Sequence, residues 1–80
     1  MININIRTNT TRMTVATDIT STPREIFNDN DIDTSTSMVN LDGAPLTAAD
    51  FGKTFEELNV EDGSTVNLNA IVKADGATKA

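Results

Sequence analysis

An α+β fold, with one helix packed across one face of a mixed four- to five-stranded sheet, is what this 80-residue sequence predicts. Three observations carry that reading. The chain opens with Ile2, Ile4 and Ile6 alternating with Asn3, Asn5 and Arg7, the period-two pattern of a half-buried strand. Thr22-Pro23-Arg24-Glu25 then forms a helix-start signal. Beyond it, residues 35–41 and 65–73 return to β character around two Asp-Gly turns.

Each element follows from its residues. The first strand ends at the polar run Arg7-Thr8-Asn9-Thr10-Thr11, a loop. A second alternating run places Met13, Val15 and Thr17 on one face and Thr14, Ala16 and Asp18 on the other. Two strands joined by so short a link pair antiparallel. In the helix, Thr22 fits the N-cap, Pro23 the first helical position and Glu25 the reciprocal residue of a capping box. Ile26 and Phe27 face the sheet, and Ile32 tucks under the helix end. The run Asn28-Asn30 with Asp29 and Asp31 has poor helix propensity and keeps the helix short.

In the third strand Val39 and Leu41 share one face, with Met38 and Asn40 on the other. Asp42-Gly43 turns the chain, and Pro45-Leu46 begins an edge segment, where a missing backbone donor does least harm. Residues 47–58 admit two readings. Phe51, Phe55 and Leu58 have the spacing of one amphipathic helix. Gly52 in the middle, and capping signals at both Thr47-x-x-Asp50 and Thr54-x-x-Glu57, favour two separate turns. The last strand puts Val66, Leu68 and Ala70 on one face and Asn67, Asn69 and Ile71 on the other. The expected core is Ile2, Ile4, Ile6, Met13, Val15, Ile26, Phe27, Val39, Leu41, Leu46, Phe55, Leu58, Val60, Val66 and Leu68. One domain over 1–74 is expected, with a flexible tail over 75–80.

Composition restricts function. There is no cysteine, hence no disulfide, thiolate zinc site or thiol nucleophile. Histidine is absent too, which removes the ordinary general base near neutral pH, and no lysine is evidently desolvated to replace it. An enzyme is therefore not expected, and no catalytic residue or cofactor is assigned. Twelve acidic against six basic residues give a formal net charge of -6. That balance repels nucleic acid and anionic membranes and keeps a small domain soluble. No apolar run approaches the roughly 20 residues of a membrane span, and the alternation of Met1 to Arg7 is unlike a signal peptide. A cytoplasmic monomer is expected.

Asp29, Asp31 and Asp33 are spaced like the start of a calcium loop. Thr34 stands where that loop needs glycine, and Asn40 where it needs a bidentate glutamate. The run reads as a solvated acidic helix end, and no metal site is assigned.

Asp42-Gly43, Pro45-Leu46, Lys53-Thr54-Phe55-Glu56-Glu57-Leu58-Asn59-Val60 and Ser64-Thr65-Val66-Asn67-Leu68 together resemble the second half of ubiquitin. The element order of the first half also fits, so the chain is similar to small bacterial ubiquitin-like proteins over residues 1–73. The resemblance implies a ubiquitin-like β-grasp fold. It does not carry the family's activities across. Ubiquitin and the β-grasp sulfur carriers act through a C-terminal Gly-Gly, and this chain ends Lys73-Ala74-Asp75-Gly76-Ala77-Thr78-Lys79-Ala80. Ubiquitin's apolar docking patch corresponds to Asn40, Asn67 and Asn69, and its best-known linkage lysine to Ala44. The expectation is a non-conjugating module that binds a protein partner through a sheet face of Met38, Asn40, Asn67, Asn69 and Ile71. The alternative is a modifier or sulfur carrier trimmed to Gly76.

Overall fold

The computed structural model describes residues 1–72. The boundary at 74, the tail over 75–80 and the trimming point at Gly76 lie outside the described residues. Within them the chain forms β1 (Ile2–Thr8), β2 (Arg12–Thr17), α1 (Pro23–Asp29), β3 (Ser37–Leu41), β4 (Ala44–Pro45), α2 (Ala48–Phe51) and β5 (Thr65–Val72). The strands make one mixed sheet in the order β2-β1-β5-β3-β4. β1 pairs antiparallel with β2 and parallel with β5, and β3 pairs antiparallel with β5. The first and last strands thus lie side by side inside the sheet.

That arrangement explains the gradient of burial. Ile2, Ile4 and Ile6 on β1 and Val66, Leu68 and Ala70 on β5 are buried, because strands flank both on either side. Met13 and Val15 were expected beside them but are only half-buried, since β2 is an edge strand. Val39, Leu46, Leu58 and Val60 likewise pack on the rim of the core rather than inside it. Ala70 belongs to the core, and Ile19 and Phe51 pack against it, three contributions missing from the expected set.

Helix α1 closes this face by adding Ile26 and Phe27 to the same apolar cluster. Its start is the capping box: the Glu25 N–H donates to Thr22 Oγ1 at 3.1 Å, and the Thr22 N–H donates to Glu25 Oε1 at 2.9 Å. Its end is a Schellman motif. The Ile32 N–H reaches back to the Phe27 carbonyl at 2.9 Å and the Asp31 N–H to the Asn28 carbonyl at 3.2 Å. Asp31 takes the left-handed conformation at φ 58°. The reversal turns Ile32 inward against the core.

Residues 47–58 form two turns, not one helix. Thr47 and Asp50 cap α2 reciprocally, and Gly52 terminates it. A second box joins Thr54 and Glu57 through bonds of 2.9 and 3.1 Å. The Thr54 backbone N–H holds the Glu57 carboxyl below its ordinary pKa. This second turn ends with the same device as α1. The Val60 N–H donates to the Phe55 carbonyl at 2.9 Å, the Asn59 N–H to the Glu56 carbonyl at 3.0 Å, and Asn59 has φ 68°. At the end of α2 Phe51 stacks on Phe27 with ring centroids 5.8 Å apart, and in the second turn Phe55 is fully buried.

The two-residue Asp42-Gly43 loop has φ 50° and 85°, the doubly left-handed geometry of a type I′ hairpin. Gly63, at φ 87°, takes the third position of a turn closed by the Ser64 N–H on the Glu61 carbonyl. The Met1 ammonium pairs with Asp62 in the same turn. Among the described residues no helix is long and apolar enough to cross a membrane.

Candidate protein-binding face

The same alternation that buries one face of the sheet presents the other. Met38 and Asn40 on β3, and Asn67, Asn69 and Ile71 on β5, lie opposite the buried face, as the sequence reading placed them. Pairing brings them together: Met38 is directly across from Ile71, and Asn40 from Asn69. Cross-strand neighbours of this kind sit about 5 Å apart at Cβ. Met38 is 52 % exposed, so the Met38–Ile71 pair is an apolar point on a face otherwise made of amides.

Asn67 lies closer to the centre of the sheet and belongs to a second group. Its side-chain oxygen accepts from Asn5 Nδ2 at 3.2 Å, and Asn5 Oδ1 accepts from Thr14 Oγ1 at 2.8 Å. One polar row therefore crosses β2, β1 and β5. The Asn67 backbone N–H also donates to Asp42 Oδ1 at 2.8 Å, and the Asp42 N–H returns to the Asn67 carbonyl at 2.8 Å. These bonds tie the tip of the β3–β4 hairpin to the middle of the sheet.

Beside this row Arg7 is paired in register with Arg12 on one side and Asn69 on the other. Together with Asn5, Thr14, Asn67 and Asn69 they line an open groove of about 580 Å³. Sequence reasoning put Asn5, Arg7 and Thr14 on solvent-facing sides of their strands but did not assign them to the site. The missing information was the parallel pairing of β1 with β5, for which no turn or short link gives a local signal.

A second hollow, about 420 Å³ and more apolar, lies where Met38, Val39 and Asn40 meet Pro45, Leu46 and Phe51. It adjoins the Met38 end of the proposed face. Among the described residues no three acidic side chains converge as a metal site would require. Asp31 instead occupies the left-handed end of α1, and Asp33 accepts from the Ser35 N–H at 2.9 Å. Asp31 thus serves helix termination and Asp33 a local turn.

No protein-family model matches the chain, and no curated protein matches it.

Proposed function

We propose that this chain is a ubiquitin-like β-grasp domain acting in the cytoplasm as a non-conjugating, non-enzymatic protein-interaction module. The element order and the single principal helix across a mixed five-stranded sheet are compatible with that fold. The observation that carries the interaction role is the Met38–Ile71 cross-strand pair. It is an apolar point flanked by the Asn40–Asn69 pair, with Asn67 further along β5, on the face opposite α1. An apolar centre with a polar, hydrogen-bonding surround is the usual anatomy of a modest interface.

The Asn40–Asn69 pair lies next to Met38 and Ile71. Asn40→Arg together with Asn69→Arg places two long charged side chains there without touching the buried face. Affinity capture from the source cells with the wild type and with this variant tests the reading. The expected result is a partner retained by the wild type and lost from the variant. An identical set of captured proteins overturns it.

A further inference from the structure

Arg7 and Arg12 stand directly opposite one another on β1 and β2, on the open face of the sheet. Like charges in that relation destabilise a strand pair, and among the described residues no carboxylate pairs with either to offset it. Among the described residues neither arginine forms an ion pair, although the chain carries twice as many acidic as basic residues. The other two described cationic side chains are engaged. Lys53 pairs with Asp50 at 3.2 Å, and the Arg24 guanidinium lies 5.6 Å from the centre of the Phe51 ring.

The surroundings of the pair are donor-rich. Asn69 is the register neighbour of Arg7 on β5, and its side-chain amide has no hydrogen bond among the described residues. Asn67 uses its side-chain oxygen on Asn5, and its NH₂ group makes no hydrogen bond among the described residues. The one carboxylate lining the groove, Asp42, already accepts from the Asn67 backbone N–H. Two guanidinium forks beside two amide donors match the paired oxygens of carboxylates.

We propose that the Arg7–Arg12 groove is a docking site for an acidic peptide segment of a partner protein, with Asp or Glu carboxylates on the two guanidinium groups. This rests on the interaction-module reading and names the chemistry of its partner. Charge complementarity sets the choice. The site is a small cationic focus on a chain of net charge -6, which suits a short acidic segment and disfavours the extended charge of a nucleic acid.

The test is an amide-shift titration of the full 80-residue chain with a terminally blocked hexaglutamate peptide at low salt, with hexaglutamine as the uncharged control. Saturable shifts at Arg7, Arg12 and Asn69 with hexaglutamate alone are expected. Arg7→Gln/Arg12→Gln is expected to weaken binding at least tenfold with an unchanged circular dichroism spectrum. Arg24→Gln, which removes a cation elsewhere, leaves binding unchanged. Absence of saturable shifts, equal loss in Arg24→Gln, or tighter binding of an eight-nucleotide oligothymidine overturns the proposal. The outcome is separable from that of the capture experiment. A titration that fails leaves Met38 and Ile71 free to bind a neutral partner, and a capture that fails does not move shifts at Arg7 and Arg12.

Discussion

On the helix-covered face of the sheet, Ile2, Ile4, Ile6, Val66, Leu68 and Ala70 are each at most 4 % exposed. On the opposite face of the same two strands stand Asn3, Asn5, Arg7, Thr65, Asn67, Asn69 and Ile71, exposed or half-buried. The backbone pairing is shared, so the contrast comes entirely from what covers each side. The inner face is completed by Ile26, Phe27 and Phe55 from the helical segments. Among the described residues the outer face is completed by its own side chains, through the Thr14–Asn5–Asn67 row. A side chain inside is fixed by packing with every neighbour, whereas one outside is largely free of that constraint and available for recognition.

The strongest way to break this contrast is to empty the inner face. Phe27→Ala or Phe55→Ala is expected to cost about 3–5 kcal/mol, since each leaves a cavity where a fully buried ring stood. Against a total of about 4–12 kcal/mol for a domain this size, either change brings the protein close to unfolding. Urea denaturation measures it, and a loss under about 1 kcal/mol would place the core elsewhere. An intermediate effect belongs to the element that seals the inner face. Thr22→Ala removes the cap oxygen that receives the Glu25 N–H and should cost about 1 kcal/mol in the same experiment.

The smallest effect is expected outside. Asn5→Ala, which interrupts the polar row while leaving the inner face intact, should shift stability by no more than about 0.5 kcal/mol. A thermal melt sharpens the comparison. If Asn5→Ala proved as costly as the cap mutation, the outer row would be a structural element rather than a surface open to a partner.

Much of this architecture was legible in local signals. The alternation at Ile2, Ile4 and Ile6, the capping pairs Thr22–Glu25 and Thr54–Glu57, and the Asp42-Gly43 turn all act within a few residues, and each has the predicted conformation. The two Schellman ends were less visible. Asp31 and Asn59 adopt left-handed angles in place of the commoner glycine, so no glycine marks the reversals that turn Ile32 and Val60 inward. The expected face of Met38, Asn40, Asn67, Asn69 and Ile71 assembled on one side of the sheet, yet its continuation through Asn5, Arg7, Arg12 and Thr14 was absent from the sequence reading.

The sequence by itself determined which side of each strand turns inward, because side-chain direction alternates with every residue and Ile, Val and Leu, Ile71 excepted, occupy one parity. It also determined where the helical turns begin, since a cap is a contact between residues three apart. Only the tertiary structure decided that β5 lies between β1 and β3, a parallel neighbour of a strand about 60 residues earlier in the chain. Long-range pairing is selected by the collective burial of Ile4, Val66 and Leu68 beneath α1, not by any local motif. That same pairing sets Asn69 beside Arg7, and so creates the groove on the open face.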